Sequence, residues 1–191
     1  MSTGEGTREQ LAHHAADASV GALRLGVVTV SDTRTAADDL GGVEACGRIG
    51  EAGFLVMARR IVPDEADLLR ESARELTRPG AGLDALVFTG GTGFSARDVT
   101  AEAISPLFDR TIDGFGELFR MLSFAEIGAG AMLSRATAGL IGGVPVFLLP
   151  GSPAAVRLGL DRLILPELRH LLGQLRKDGR GRGHEHGHGH G

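Results

Sequence analysis

The sequence predicts an α/β fold built around a mostly parallel β-sheet. Three short runs, Leu23–Val30, Asp84–Phe88 and Pro145–Leu149, have the largely apolar character of strands that are covered on both faces. Segments with the periodicity of amphipathic helices separate these runs, and strands that alternate with helices at this spacing form parallel sheets. Glycine or serine occurs within two residues after each run, and these residue types suit ligand sites at the carboxyl edge of such sheets.

In the first half of the chain, each element follows from a local pattern. The strand Leu23–Val30 precedes a helix predicted over Gly42–Ala52, where apolar residues recur at helical spacing until a glycine ends the pattern. Phe54–Val62 is predicted to be a second strand, although two arginines lie within it. Pro63 and the two acids that follow it form a typical helix start, which predicts a helix that continues to Thr77.

In the second half, glycines and prolines mark the ends of the elements. Gly142 and Gly143 predict a turn before the last strand, and Pro166 predicts a bend in the last helix. The predicted elements are, in order, a strand at Asp84–Phe88, a helix at Thr100–Leu107, a short extended piece at Arg110–Ile112, helical segments at Gly116–Ser123 and Phe124–Ala131, an extended segment at Ser134–Ile141, a strand at Pro145–Leu149 and a helix at Ala154–Leu175.

One folded domain is predicted over residues 22–176, between two tails. Residues 1–21 are polar and show no clear period, which predicts a flexible N-terminal arm. Residues 177–191 are rich in glycine and histidine, which predicts a disordered tail. Alternating histidines bind Ni²⁺ or Zn²⁺, but a disordered tail holds no catalytic geometry.

The composition is that of an ordinary globular protein, with 42% hydrophobic and 23% charged residues in 191. The net charge is −4 and the arginines are scattered, so the sequence has no basic footprint for nucleic acid. No apolar run reaches the length of a membrane-spanning helix, and the first ten residues lack the features of a signal peptide. We therefore expect a cytoplasmic protein that binds neither nucleic acid nor membranes.

Single residues exclude several classes of site. Cys46 is the only cysteine, so intrachain disulfides and thiolate zinc clusters are excluded. Lys177 is the only lysine and lies near the end of the chain, which excludes a Walker-type phosphate loop and a Schiff-base enzyme. His170 is the only histidine in the predicted domain and no Gly-x-Ser-x-Gly motif occurs, which argues against a serine hydrolase triad.

The most informative segment is Thr89–Asp98 (TGGTGFSARD), which follows a predicted strand and precedes a predicted helix. Its three glycines allow sharp turns, and backbone N–H groups at such turns bind phosphate or other anions. Two other strand ends, Ser31-Asp32 and Pro150–Ser152, are expected at the same edge of a parallel sheet. Together, the three ends predict a single cleft lined by hydroxyls, backbone amides and carboxylates, suited to a nucleotide or phosphate ester.

The acids near this predicted cleft have two interpretations. Asp98 precedes a helix, where aspartate is a favoured N-cap, or it is a ligand of a Mg²⁺ ion bound to phosphates. Asp64 poses the same choice within an acidic helix start, and Asp32 ends a strand and could merely shape the turn there. From the pattern alone, we prefer the capping interpretation.

The basic and hydroxyl residues nearby also have two interpretations each. Arg97 and Arg120 could pair with phosphates, although arginine on a surface helix is usually solvated. Ser134 and Ser152 could donate to an anion, but serine beside a turn or a helix start is usually a local cap.

Several separated segments form one ordered pattern over roughly residues 23–172. They are GVVTVSDTR at Gly26–Arg34, VPDE at Val62–Glu65, FTGGTG at Phe88–Gly93, RDVTAEA at Arg97–Ala103, DGFGE at Asp113–Glu117, the pair Phe119-Arg120, LSRA at Leu133–Ala136, the pair Ala138-Gly139 and PGSP at Pro150–Pro153. This pattern resembles the MoaB/MogA family of molybdenum cofactor biosynthesis proteins, which includes the molybdopterin adenylyltransferases. The stretch Asp113–Ala136 is more similar to the MoaB branch than to the MogA branch.

The resemblance implies a three-layer α/β/α sandwich around a mostly parallel sheet, assembled as a homotrimer or homohexamer. It also implies binding of molybdopterin, a pterin that carries a dithiolene and a terminal phosphate. In active members of the family, this phosphate attacks the α-phosphorus of Mg-ATP, giving adenylylated molybdopterin and pyrophosphate. Mg²⁺, ATP and molybdopterin are therefore the expected cofactor and substrates, and hand-over to a molybdate-insertion protein is a further implication.

The essential aspartates of the family fall on Asp64 and Asp98, which become the expected catalytic residues and Mg²⁺ ligands, directly or through water. Nucleotidyl transfer depends mainly on positioning and charge neutralisation, which agrees with two carboxylates beside a glycine turn. Ala101 departs from the pattern where proline is frequent, with little expected effect, since alanine favours helices. The expected substrate-binding residues are Thr89, Gly90, Gly91, Thr92, Gly93, Ser134, Gly151 and Ser152.

Three other functions stay open. Some MoaB forms lack the two acids and are thought to be inactive, so a non-catalytic molybdopterin-binding or scaffold protein is one alternative. A nucleotide pyrophosphatase is another, because related domains with similar glycine turns occur in such enzymes. Metal delivery by the histidine-rich tail is the least favoured.

Overall fold

Six strands form one mixed β-sheet in the computed structural model of this protein, which describes residues 21–181 and the side chains of residues 21–177. The strands are β1 (Arg24–Val30), β2 (Leu55–Val62), β3 (Ala85–Thr89), β4 (Arg110–Thr111), β5 (Thr137–Ile141) and β6 (Val144–Leu149). Their order across the sheet is β2-β1-β3-β6-β5-β4. Strands β1, β2, β3 and β6 are parallel, whereas β5 is antiparallel to both of its neighbours.

Helices cover both faces of this sheet. The α-helices of the described residues are α1 (Leu40–Glu51), α2 (Ala66–Thr77), α3 (Thr100–Ile104), α4 (Asp113–Ile127), α5 (Pro153–Gly159) and α6 (Leu165–Gly181). Short 3-10 helices lie at Ser105–Leu107 and Gly128–Leu133. Helices α2 and α3 pack together on one face, and α1, α4 and α5 pack on the other. The three-layer α/β/α architecture is therefore confirmed.

Both faces of the central strands are buried. Val28, Phe88 and Leu148 are fully buried in one cluster with residues of α2 and α3. On the opposite face, the ring of Phe115 from α4 meets that of Phe147 from β6, with the ring centroids 5.3 Å apart. Burial on both sides accounts for the near-continuous apolar sequences of β1, β3 and β6, because a strand with one face in water would alternate apolar and polar residues.

Strand β5 departs from the purely parallel pairing that regular alternation of strands and helices suggests. Gly142 and Gly143 have φ values of +58° and +82° and join β5 to β6, with Ile141 opposite Val144. A two-residue connection of this kind joins antiparallel strands, whereas parallel neighbours need a crossover of about a dozen residues or more. The glycine pair is thus the sequence signal for a hairpin.

Helix α4 is one continuous element where the sequence predicts two segments with a start at Gly116. It begins at Asp113, because Phe115 and Phe119 are both buried one turn apart and extend its apolar face towards the N-terminus. It ends where Gly128 adopts a φ of +64°, and the following residues form a 3-10 helix.

The last helical stretch contains a π-helical turn at Leu160–Ile164, shortly before the predicted bend at Pro166. Proline donates no N–H to the preceding turn, so the regular hydrogen-bond pattern is interrupted there. Helix α6 extends to Gly181, beyond the predicted end at Leu175 and into the region predicted as tail. Residues 1–20 of the predicted arm and residues 182–191 of the predicted tail lie outside the described residues. No helix within the described range is long and apolar enough to cross a lipid bilayer.

Candidate functional site

A cleft of about 460 Å³ lies at the carboxyl ends of β1, β3 and β6. The three strands are parallel neighbours with Thr29, Thr89 and Leu149 in register, so the segments that follow them emerge at the same edge. The three strand ends that the sequence singled out are thus brought together. The residues that line the cleft are Val30, Ser31, Asp32, Thr33, Arg34, Asp64, Gly90, Gly91, Thr92, Gly93, Ser95, Arg97, Asp98, Pro150 and Gly151.

The turn after β3 requires glycine at two positions. Gly90 has a φ of +106°, and a Cβ atom there would lie 2.4 Å from the carbonyl oxygen of Val30. Gly91 has a φ of +62°, and a Cβ atom there would lie 2.2 Å from Thr100 Oγ1 and 2.8 Å from both carboxylate oxygens of Asp64. Both conformations favour glycine, and neither position has room for a side chain. The Asp64 carboxylate therefore lies directly against the segment Gly90–Gly93, which we call the glycine turn.

Asp64 does not cap helix α2, contrary to the preferred interpretation of the pattern. The N-cap position is Glu65, which makes no side-chain capping hydrogen bond. Asp64 Oδ1 instead accepts a hydrogen bond from the N–H of Val99 at 3.2 Å, and its own N–H donates to Asp32 Oδ1 at 2.9 Å. Asp64, which follows β2, is therefore hydrogen-bonded both to Asp32 after β1 and to Val99 before α3.

Asp98 does not cap helix α3 either, because the N-cap position is Val99 and no side chain caps this helix. Asp98 Oδ2 accepts a hydrogen bond from the N–H of Ser95 at 2.9 Å, and the N–H of Asp98 donates to the carbonyl oxygen of Ser95 at 2.9 Å. A Cβ atom at Gly93 would lie 2.7 Å from Asp98 Oδ2. The capping interpretation is therefore wrong for both aspartates, and both face the glycine turn.

Negative charge accumulates around Asp64. Burial raises the pKa of its carboxyl above the ordinary value, and the charges of Asp98 and Asp32 raise it further. The hydrogen bond from Val99 and the positive charge of Arg97 act in the opposite direction without cancelling the rise. A carboxylate in this situation is stabilised by a nearby cation.

Asp32, which the sequence places at a strand end of the predicted cleft, lies in the cleft beside Asp64. It accepts the N–H of Asp64 and forms an ion pair with Arg97, and these interactions hold the pKa of Asp32 below its ordinary value. Its position at a strand end was the available signal. The Arg97 side chain is 71% exposed at the cleft, where an anion can reach its remaining N–H donors.

Three of the expected substrate-binding residues do not line the cleft, and their hydroxyls make hydrogen bonds within the protein. Thr89 is buried and donates to the carbonyl oxygen of Pro150 at 3.2 Å. Ser152 accepts the N–H of a residue in the first turn of α5 at 3.3 Å and so caps that helix. Ser134 accepts the N–H two residues later at 3.3 Å. The expected residues that the cleft does bring together are Asp64, Gly90, Gly91, Thr92, Gly93, Asp98 and Gly151.

Two arginines contact the segments around the cleft without lining it. Arg120 Nη1 donates to the carbonyl oxygens of Ser134 and Ala136, at 3.5 and 3.2 Å, so its guanidinium is engaged by backbone and is not placed to pair with a phosphate in the cleft. Arg135 binds carbonyl oxygens of the glycine-rich loop, at Thr92 and Asp98. Sequence reasoning included Arg135 only in a family pattern, because contacts with residues so distant along the chain leave no local signal.

Within the described residues, no group of three or more His, Cys, Asp and Glu side chains is arranged to hold a metal ion. A cation in this cleft would take its other ligands from water or from the phosphates of a bound ligand. That coordination is typical of Mg²⁺, which usually uses only one or two protein carboxylates.

Residues 26–170, which include every segment of the cleft, match the family model described as "Probable molybdopterin binding domain". The chain is also 48% identical over 162 residues to Molybdenum cofactor biosynthesis protein B of Bacillus subtilis (strain 168). This match covers 82% of the chain and 92% of that relative.

Solved structures give the same result. A crystal structure of Molybdenum cofactor biosynthesis protein B superimposes with a TM-score of 0.79 at 44% identity, covering 82% of this chain and 97% of that one. The tungsten cofactor synthesizing protein MoaB from Pyrococcus furiosus gives a TM-score of 0.74 at 38% identity, covering 83% and 99% of the two chains. The fold, the cleft and these relatives together show that the chain belongs to the MoaB branch of the MoaB/MogA family of molybdenum cofactor biosynthesis proteins.

Proposed function

We propose that the protein transfers AMP from ATP to the terminal phosphate of molybdopterin. An oxygen of the molybdopterin phosphate attacks the α-phosphorus of ATP, and the bond from the α-phosphorus to the oxygen that bridges to the β-phosphorus breaks. The products are adenylylated molybdopterin and pyrophosphate. Family membership supports the ligand class, and the presence of Asp64 and Asp98 supports the reaction.

The observation that carries the proposal is the convergence of Asp64 and Asp98 on one glycine turn. Both line the cleft, and burial, together with the negative charges of Asp98 and Asp32, raises the pKa of Asp64. ATP would add further negative charge at the same place. A cation held between the carboxylates and the phosphates would neutralise the negative charge of both. Charge neutralisation of this kind is the main requirement of phosphoryl and nucleotidyl transfer.

The donor set suits Mg²⁺, which prefers oxygen ligands and keeps several water molecules. Asp64 and Asp98 would hold the ion, directly or through water. When bound, it would neutralise charge on the phosphate oxygens that develops during the transfer. Because no group of three or more acidic side chains within the described residues is arranged to hold the ion, water and substrate phosphates would complete its coordination.

The remaining roles fall to backbone and arginine groups of the cleft. The N–H groups of Gly90–Gly93 would donate to phosphate oxygens, since the turn brings its backbone to the cleft surface. Arg34 and Arg97 also line the cleft, and each guanidinium has more donors than its protein partners use. These groups bind and orient the substrates, and the reaction needs no protein nucleophile.

The test is an adenylylation assay with purified protein, molybdopterin, ATP and Mg²⁺, in which adenylylated product and pyrophosphate are both quantified. We expect Asp64→Asn and Asp98→Asn each to lower kcat by about 10²–10³-fold, because the amide keeps the size of the side chain and removes its charge. Asp67→Asn is the matched control, since the carboxylate of Asp67 is 97% exposed on α2, and it should retain full activity.

The outcomes separate the alternatives. Absence of product, under conditions in which a known adenylyltransferase works, would overturn the proposal. Molybdopterin binding without product would then support a non-catalytic binding or scaffold protein. Release of a nucleoside monophosphate from a dinucleotide without molybdopterin would support a pyrophosphatase.

We also propose that the protein assembles as a homotrimer or homohexamer and that its product passes to a molybdate-insertion protein. Support for assembly comes from large apolar side chains that are exposed on α4 and on the 3-10 helix that follows it, because monomeric proteins rarely expose large apolar patches. These residues are Leu118, Met121, Phe124, Ile127, Met132 and Leu133.

A further inference from the structure

Arg135 lies in the connection that precedes β5, and its side chain, only 22% exposed, reaches the loop that carries the glycine turn. Its Nε donates to the carbonyl oxygen of Thr92 at 3.3 Å, and its Nη2 donates to the carbonyl oxygen of Asp98 at 2.8 Å. Its Nη1 forms an ion pair with Glu102 of α3. Its guanidinium also lies over the ring of Phe94, 5.3 Å from the centroid.

These contacts join the two ends of one irregular segment, Thr92–Asp98. Within this segment, the turn between Ser95 and Asp98 is closed by two hydrogen bonds, one of which involves the Asp98 carboxylate. The planar guanidinium of Arg135 presents its donors in a fixed arrangement, so it can hold two carbonyl oxygens at a set separation. A side chain with one donor position could not hold both.

Arg135 is itself held in place by helix α4. Arg120 of this helix donates to carbonyl oxygens on both sides of Arg135, at Ser134 and Ala136. Gly116 allows the helix to approach, because a Cβ atom there would lie 2.7 Å from the carbonyl oxygen of Ala136. Contacts with α4 therefore fix the backbone that carries Arg135, and its side chain extends from this fixed position to the loop.

We infer that Arg135 is a positioning residue for the adenylylation reaction. It holds Thr92–Asp98 in the conformation that keeps the Asp98 carboxylate in the cleft. It acts on Asp98 through the backbone and does not itself line the cleft. The catalytic consequence rests on the proposed function, whereas the effect on the loop does not.

The first measurement is amide hydrogen exchange of the protein without ligands, resolved at the N–H groups of Ser95 and Asp98. We expect Arg135→Gln to increase exchange at both groups by about tenfold or more, because charge-assisted hydrogen bonds to the loop are lost. Exchange in β1 and β3 should stay unchanged. Arg135→Lys should give an intermediate result, since it keeps the charge and loses the planar donor arrangement.

The second measurement is the kinetics of adenylylation by the same variants. We expect Arg135→Gln to lower kcat by about 10²-fold, because small displacements of reacting groups have effects of this size, while the KM for ATP changes by less than about threefold. Arg135→Lys should recover part of the kcat. Arg70→Gln is the matched control, because Arg70 pairs only with the exposed Asp67 on α2 among the contacts described, and it should change neither exchange nor kcat.

Unchanged exchange at Ser95 and Asp98 in Arg135→Gln would overturn the inference, as would faster exchange throughout β1 and β3, which would assign Arg135 to general stability. A raised KM with an intact kcat would assign it to substrate binding, and an intact kcat with a loosened loop would remove its catalytic role. If the wild-type protein forms no product, the proposed function fails while hydrogen exchange still tests the positioning. If Arg135→Gln does not fold, Arg135→Lys carries both measurements.

Discussion

Gly91 lies between a hydroxyl and a carboxylate that leave no room for a methyl group. A Cβ atom at this position would be 2.2 Å from Thr100 Oγ1 and 2.8 Å from both carboxylate oxygens of Asp64, and the φ of +62° disfavours any other residue. We expect Gly91→Ala to displace Asp64 and to lower kcat by about 10²-fold. It should also reduce the free energy of unfolding by about 1–3 kcal/mol. Steady-state kinetics and urea denaturation measure the two effects.

Gly47 provides the matched control for this substitution. It lies in helix α1, and a Cβ atom there would meet no heavy atom within 4 Å. Gly47→Ala should therefore increase the free energy of unfolding by about 0.5–1 kcal/mol, because alanine loses less backbone entropy in a helix, and it should leave kcat unchanged. Equal kinetics for the two alanine variants would contradict the placement of Asp64 against the turn.

Asp39 is a fully buried carboxylate that caps helix α1. Its Oδ1 accepts a hydrogen bond from the N–H of Gly42 at 2.8 Å. Its Oδ2 accepts hydrogen bonds from Thr29 Oγ1 at 2.9 Å and from Arg59 Nη2 at 3.0 Å. Burial alone would raise the pKa of Asp39, but the hydrogen bonds from Gly42, Arg59 and Thr29 outweigh it and lower this pKa below the ordinary value. The folded protein therefore stabilises the charged form.

This lowered pKa fixes the sign of a pH effect on stability. The contribution of Asp39 is fully present above its unfolded pKa of about 3.9 and is lost as the pH falls through the lower folded value. We expect Asp39→Asn to reduce the free energy of unfolding by about 1–3 kcal/mol near neutral pH, because it removes a buried charge opposite Arg59. Below about pH 4, the difference from the wild type should shrink. Urea denaturation across this range measures it.

Glu51 is the control for Asp39, since it lies on the same helix and its exposed carboxylate pairs with Arg48 at the surface. Glu51→Gln should change the free energy of unfolding by less than about 0.5 kcal/mol, because surface ion pairs contribute little. A difference between wild type and Asp39→Asn that stays constant down to about pH 3 would show that Asp39 does not titrate as described.

At the scale of elements, apolar patterns predicted strand positions well because burial on both faces leaves a continuous signal. The first strand was predicted at Leu23–Val30 and the last at Pro145–Leu149, each within one residue of the structure. Asp64 and Asp98 were harder to interpret, because a capping residue and a cleft carboxylate occupy the same position before a helix. Only their hydrogen-bond donors, which the fold supplies, separate the two roles.

Helix α4 gives an element-scale prediction, since its approach to the backbone before β5 depends on Gly116. A Cβ atom there would lie 2.7 Å from the carbonyl oxygen of Ala136 and 3.0 Å from Arg120 Nη2. We expect Gly116→Ala to reduce the free energy of unfolding by about 1–3 kcal/mol, because overpacking outweighs the higher helix propensity of alanine. Gly114 has open space in the same helix, so Gly114→Ala should be at least as stable as the wild type. Equal stability of the two variants in urea would contradict the close approach.

At the scale of the whole molecule, the cleft combines segments that are far apart in the sequence. The meeting of the strand ends at Ser31, Thr89 and Pro150 was predictable, because parallel strands place their carboxyl ends at one edge. The contacts of Arg135 were not, since they join residues 33 to 43 positions apart through an arginine whose surroundings in sequence are unremarkable. Such contacts become visible only when the packed elements are known.

The exposed apolar side of α4 is the feature of the whole molecule that bears on assembly. Four large apolar residues lie three positions apart along this helix, and all are exposed in the single chain; they are Leu118, Met121, Phe124 and Ile127. If this side forms the interface of a trimer or hexamer, a charge placed within it would be buried without a partner, which is costly.

Phe124→Glu tests this interface, because Phe124 is 63% exposed in the single chain and its replacement should leave the monomer fold intact. We expect the wild type to have the mass of three or six chains by size-exclusion chromatography with light scattering, and Phe124→Glu to shift the protein towards one chain. Leu68→Glu is the control, since Leu68 is exposed on α2, on the opposite face of the sheet, and should leave the trimer contacts unchanged. A wild-type mass of one chain at micromolar concentration would rule out the assembly, and equal shifts in both variants would place the interface elsewhere than on α4.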